Sequence, residues 1–265
     1  MEIIGYLASI LIGISLGLIG GGGSILTVPV LVYLLGVKPE LATAYSLFVV
    51  GTTALVGAVP KYKQGLVNMK TAIIFGIPAG AAGFATRTYL VPAIPEEVLT
   101  LNGFILTKSI LLMLVFAIFM VFASYSMIKG KKEAETNSNE KQSFNYPLII
   151  LEGTVVGSLT GLVGAGGGFL IIPALIMLSK LPMKQAVGTS LVIIAGKSLI
   201  SFLGDATKPG IDWTLLTSVT LLAIVGIFVG NWLSHKVPGE KLKVGFGWFV
   251  LVMGVYIIAR EIFLR

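Results

Sequence analysis

The chain has no cysteine. That excludes disulfides, thiol nucleophiles and thiolate metal sites. It has one histidine, His235, which follows an apolar run beside Lys236 and reads as a loop residue. There is no grouping of His or Met of the kind a transition-metal site needs. Nothing resembles a Ser-His-Asp set or a pair of catalytic carboxylates, so the residues point away from an enzyme. No cofactor and no metal are expected. Charge is also scarce: 12% of the 265 residues are charged, against about 25% in a soluble domain. So few charges cannot cover a surface facing water.

What is present is apolar. Hydrophobic residues make up 55% of the chain and the mean hydropathy is +0.96. The expectation is a polytopic membrane protein whose main partner is the lipid bilayer. The net charge of +7 would suggest nucleic acid in a soluble protein. Here the Lys and Arg read as topological anchors, and no nucleic acid is expected. The first apolar run has neither a basic leader nor a small-residue cleavage site before a polar domain. It reads as a retained span.

The chain is organised around a duplicated stretch. GLIGGGGSILTVPVLVYLLG runs from Gly17 to Gly36, and GLVGAGGGFLIIPALIMLSK runs from Gly161 to Lys180. Gly20 matches Gly164, Gly22 matches Gly166, Gly23 matches Gly167 and Pro29 matches Pro173, always 144 positions on. Ala42, Ser46 and Leu47 recur at the same interval as Ala186, Ser190 and Leu191. Two copies of one unit make up nearly the whole chain.

The apolar segments of the first half are Ile3 to Ile19, Ser24 to Leu35, Leu41 to Val59, Thr71 to Leu90 and Phe104 to Ile128. Those of the second are Tyr146 to Val163, Phe169 to Leu178, Gln185 to Leu203, Trp213 to Leu233 and Leu242 to Phe263. Residues 1–128 therefore form a first transmembrane repeat and 146–265 a second. Between them, 129–145 is polar, lacks periodicity and reads as a cytoplasmic linker. In each half the second segment is stunted. A helix of about 12 residues rises about 18 Å, against a hydrocarbon core of about 30 Å. It cannot cross alone, and pairs with the preceding helix as a broken or re-entrant hairpin with the glycines at its apex. The fold class is an all-α polytopic membrane protein of two repeats, each with about five helical elements and a Gly-rich hairpin.

The charges set the orientation. Lys61, Lys63 and Lys70 in one loop, and Lys129, Lys131, Lys132 and Lys141 in the linker, share a side that should be cytoplasmic. An odd number of elements per half makes the repeats inverted and puts both termini outside. Lys180, Lys184, Lys236, Lys241 and Lys243 then lie inside, and Lys208, Arg260 and Arg265 outside.

The glycine apices suggest the chemistry. The first turn of a helix leaves backbone N–H groups without partners and carries roughly half a positive charge. Glycine lets the chain curl and a ligand approach closely. Gly20, Gly21, Gly22, Gly23 and Ser24 form one anion cradle, and Gly164, Gly166, Gly167 and Gly168 the other. Short, Gly-interrupted segments at matching places in two halves are the pointer to a transporter's binding site. The bland alternative is that these glycines only let helices pack closely.

Lys197 lies well inside a span, where a charge costs roughly 2.5 to 3.5 kcal/mol by insertion scales. No acid sits at helical spacing from it within that span, so a small anionic substrate is the natural partner; snorkelling to an interface is the alternative. Its repeat counterpart is Thr53. Tyr45 and Ser46, with Thr189 and Ser190, place hydroxyls on the helix after each hairpin and can donate to oxyanion oxygens, or else bond back to their own helix. Arg87, near the outer end of its span, reads as an interfacial anchor. Glu152 reads as a proton carrier or a snorkelling side chain.

The doubled motif, with the following ATAYSL and AVGTSL, resembles the TauE/SafE sulfite exporter family, also called the toluene-sulfonate uptake permeases. The turn PGID, Pro209 to Asp212, fits as well; the first half has Asn68, in QGLVN, near the acidic position. The resemblance covers both halves. It implies a secondary transporter of sulfite, sulfonates or related sulfur-containing anions in a prokaryotic plasma membrane. No ATPase motif is present, so an ion gradient, the membrane potential or the substrate gradient would drive it, with a proton or sodium as the candidate coupling ion. Inverted repeats permit a homodimer without compelling one. An anion channel and a non-transporting scaffold subunit are the rival readings.

Overall fold

The computed structural model describes residues 2–101, 104–129, 146–164, 166–177, 181–207, 210–234 and 239–263. Helix α1 spans Glu2–Ile19. The short segment after it, α2, is a 3-10 stretch Gly21–Leu26, a turn of α-helix Thr27–Pro29 and a π stretch Val30–Leu34. Then come α3, Pro39–Lys63, and α4, Met69–Ala93, which carries a π stretch at Thr86–Leu90. Helix α5 is Lys108–Lys129. In the second half α6 is Tyr146–Val163, α7 Gly168–Met177, α8 Met183–Leu203, α9 Trp213–Leu233 and α10 Gly239–Phe263. Among the described residues, α3, α4, α8 and α9 are long and apolar enough to cross a membrane.

Two boundaries differ from the sequence reading. The chain enters α2 at Gly21, because the glycines themselves form the opening 3-10 turn. The apolar run from Phe104 begins as a strand: β1, Glu97–Leu101, pairs antiparallel with β2, Phe104–Thr107. A short apolar run does not by itself separate strand from helix. The linker, beyond Lys129, and His235 lie outside the described residues.

The helix starts follow local chemistry. Pro39 opens α3, where its missing N–H costs nothing. Glu40 in the first turn and Lys61 and Lys63 in the last complement the helix dipole. The Asn68 side chain accepts from the Thr71 N–H at 3.1 Å and so caps α4. Asp212 caps α9 in the same way, accepting from the Leu215 N–H at 3.0 Å.

The helices of the two halves pair across the repeat. α1 packs on α9 and α6 on α4, α3 lies against α8, and α5 against α10. Small residues allow the first two contacts. Gly13 and Gly17 meet the α9 backbone at Ala223 and Gly230, while Gly157 and Gly161 meet the α4 backbone at Ala79 and Gly83. The main core draws on both halves, with Leu16, Val50 and Phe75 packed with Ile171, Leu191 and Ile194. Large apolar side chains such as Leu11, Ile77, Phe122, Leu221 and Phe228 face outward. Water does not favour such a surface, and lipid does.

Candidate functional site

The first stunted segment folds back on its predecessor. Leu35, just past α2, lies where a side chain on Gly5 of α1 would project, and Gly23 abuts Ser15 and Leu16. α1 and α2 thus run antiparallel, with the glycines at the bend. Gly20 at φ 73° and Gly164 at φ 72° take the left-handed conformation at matching positions, as do Gly166 and Gly167 in the second bend. A side chain at those positions would be strained. Gly22 falls within the 3-10 stretch.

The two bends meet. A Cβ on Gly21 would overlap the Gly168 backbone, and one on Gly168 would overlap that of Gly21. Ser24 is buried and donates to the Gly21 carbonyl at 2.7 Å. A Cβ on Gly166 would lie 2.6 Å from Val50 and 2.9 Å from Ser24. The apices are therefore close-packed against each other in this conformation.

Lys197 on α8 is 1% exposed, which removes the snorkelling alternative. Its Nζ donates to Thr160 Oγ1 on α6 at 2.6 Å. The same Nζ stands 3.2 Å from the Cβ position of Gly167. No carboxylate pairs with it among the described residues. The result is a lysine amine sealed from water and facing the second glycine bend. Its counterpart Thr53 is also buried, and its hydroxyl meets no partner among the described residues.

The hydroxyls divide. Ser190 Oγ donates to the Val187 carbonyl at 2.8 Å, the back-bonded arrangement, yet stands 3.3 Å from the Cβ position of Gly20. Ser46 Oγ is buried without a partner among the described residues. Tyr45 and Thr189 reach across to the opposite half. The Asp212 N–H donates to the Tyr45 hydroxyl at 2.5 Å, and the Asn68 N–H to the Thr189 hydroxyl at 2.9 Å. Asn68 and Asp212 are thus matched in role: both cap a fourth helix and both are gripped by the third helix of the other half.

Arg87 is not an interfacial anchor. It is 1% exposed and ion-paired with Asp205, itself fully buried just past α8. It also donates to Thr43 Oγ1 at 2.9 Å and to the Gly161 carbonyl at 3.4 Å. Thr43 in turn packs against Gly164, so this network abuts the second bend. Sequence reasoning missed the pair because its members lie 118 residues apart. Thr160 was missed too; only the absence of an acid near Lys197 hinted that something else must hold the ammonium. Glu152 is half-buried on α6. Among the described residues, no cluster of three His, Cys, Asp or Glu could hold a metal.

Comparison with known proteins follows the whole length. The family described as "Sulfite exporter TauE/SafE" matches residues 5–257. A probable membrane transporter protein of Xylella fastidiosa (strain Temecula1 / ATCC 700964) is 30% identical over 255 residues, 95% of this chain and 92% of that protein. The probable membrane transporter protein YdhB of Bacillus subtilis (strain 168) is 27% identical over 239 residues, 89% of this chain and 92% of its own. A third, probable membrane transporter protein MJ0441 of Methanocaldococcus jannaschii, is 28% identical over 264 residues, 94% of this chain and 92% of its own. No solved structure matches the chain.

Proposed function

The chain belongs to the sulfite exporter TauE/SafE family, and we propose that, as a membrane transporter of that family, it carries a small sulfur-containing anion by a secondary mechanism. The anion binds between the two glycine bends, with Lys197 as its counter-charge. The observation that carries this reading is the Lys197 side chain, buried against Gly167 with no carboxylate partner among the described residues. A buried charge of that kind is costly unless paired. An oxyanion offers the missing charge, and backbone N–H groups at the bends complete its coordination.

Transport needs the bends to separate, because they are packed together here. The two halves are read as inverted repeats, each hairpin re-entrant from its own side of a prokaryotic plasma membrane. Both termini then lie outside and 129–145 inside. This agrees with the reciprocal grips of Tyr45 on Asp212 and Thr189 on Asn68. Rocking of one unit against the other would expose the site to each side in turn.

The test is counterflow in liposomes made with the purified chain. Saturable exchange of labelled sulfite or an alkyl sulfonate, dependent on anion inside, is expected. Flux that rises linearly with concentration would mean a channel, and no flux of any anion would mean a scaffold. A thermal-shift series against sulfite, sulfate, thiosulfate, sulfonates and carboxylates ranks ligands, since stabilisation by a real ligand follows its occupancy.

A further inference from the structure

The repeat aligns charged positions at the two ends of the bundle, and their signs are opposite. Glu40 corresponds to Lys184 and Asp205 to Lys61, each pair 144 positions apart; Arg87 corresponds to Asn231. At the end marked by Pro39, both acids are neutralised. Glu40 pairs with Lys108 at 2.8 Å, and Asp205 pairs with Arg87. At the end marked by Lys63, the matching positions hold two cations. No carboxylate or hydrogen-bond acceptor meets either among the described residues.

Lys61 is only 8% exposed, whereas Lys184 is open to solvent. They flank one spot. Gly188, a turn along α8 from Lys184, stands against the Lys61 stem, with 3.3 Å between its Cβ position and Lys61 Cβ. The neighbouring Val187 comes within 3.0 Å, and Ser190 within 3.3 Å, of the Cβ position of Gly20 in the first bend. The two lysines therefore stand one helical turn from a glycine bend, at one end only.

We propose that Lys61 and Lys184 form an anion-capturing subsite at the mouth of the pathway, for small sulfonate-like oxyanions, with no equivalent at the other end. The proposal rests on the reading of the protein as an anion carrier. Two like charges without partners among the described residues, one nearly buried and one exposed, raise the local concentration of anions and speed their arrival. The matching acids opposite are already paired, and Lys38, which makes no ion pair among the described residues, stands two positions from Glu40 and not beside a second cation. The alternative is that the lysines serve only as topological anchors.

The test uses the absence of native cysteine. Gln185→Cys places a single thiol beside Lys184 in the full-length protein. Its rate with a sulfonate-bearing thiol reagent is compared with its rate with a cationic one. Ethanesulfonate is the competing anion. The expected result is a preference of about tenfold for the anionic reagent, saturable protection by ethanesulfonate, and loss of both in Lys61→Gln/Lys184→Gln. Lys61→Arg/Lys184→Arg should keep both. Lys184→Gln alone, at an exposed position that leaves the fold untouched, should show a partial loss. An unchanged preference in the Gln variants, or no protection in their parent, would overturn the subsite. The labelling needs no transport. Protection without counterflow would remove the carrier and leave the subsite, and counterflow without protection would do the reverse.

Discussion

Tyr45 and Thr189, 144 positions apart, perform the same task at opposite ends of the bundle: each hydroxyl accepts the backbone N–H of the residue that caps the other half's fourth helix. Both hydrogen bonds are only partly buried, so losing the acceptor costs about 0.5–1.5 kcal/mol. Tyr45→Phe and Thr189→Val should each lower the thermal midpoint in detergent by a similar amount, with Thr189→Ser recovering most of it. The double variant should be additive, because the sites share no partner. A large loss at one end and none at the other would show that the ends are not equivalent.

The caps themselves give a second check. Asn and Asp are nearly interchangeable at this position, and either replaced by Ala costs about 1 kcal/mol. Asn68→Asp and Asp212→Asn are therefore expected to unfold close to the parent, while Asn68→Ala and Asp212→Ala fall below it. An Asp212→Asn variant that keeps its stability and loses transport would instead assign the Asp212 charge to transport.

Replacing Lys197 with Met removes the sealed amine and shortens the unbranched side chain by one atom. Stability should hold or rise, while anion affinity falls at least tenfold, about 1.4 kcal/mol. Titration of the purified variant with sulfite by thermal shift reads both quantities at once. Unchanged affinity would take Lys197 out of the site.

Two glycines on neighbouring elements should respond in opposite ways. A methyl on Gly168 would collide with the Gly21 backbone, whereas one on Gly196 meets nothing within 4 Å. Gly168→Ala should lose transport and stability. Gly196→Ala, on α8, should gain roughly 0.5–1 kcal/mol from helix propensity. Wild-type uptake by Gly168→Ala would mean that the bends yield without cost.

Breaking a buried ion pair by removing one partner costs about 3–5 kcal/mol, while replacing both with apolar groups is often neutral. Arg87→Gln should therefore be poorly stable, and Arg87→Met/Asp205→Leu should recover the thermal midpoint. If the double variant folds well but transports poorly, the pair serves movement as well as stability.

Much of this architecture was legible in the residues. Trp213–Leu233 agrees to the residue, because the Asp212 cap and abrupt hydropathy edges define it, and the helix from Tyr146 ends at Val163 as read. The repeat interval set Asn68 opposite Asp212, but an amide in place of an acid read as a departure from the pattern, and the capping role the two share emerges only in the structure. What escaped was long-range or conformational. Depth alone made Arg87 an anchor, since nothing in spacing reveals a partner 118 residues away. The run from Phe104 hid a strand, because an apolar stretch facing protein has no period to separate the two structures. The four glycines looked like a breaker before α2, yet the last three joined its first turn.

The contact between Gly21 and Gly168 has a mechanical consequence. Only hydrogen atoms separate the two strands of backbone there, so no flexible side chain is interposed to absorb displacement. Pushing either loop toward its neighbour shifts that neighbour at once, and withdrawing either one opens a gap from both faces together. The crossing behaves as a bearing: the two hairpins are obliged to keep step.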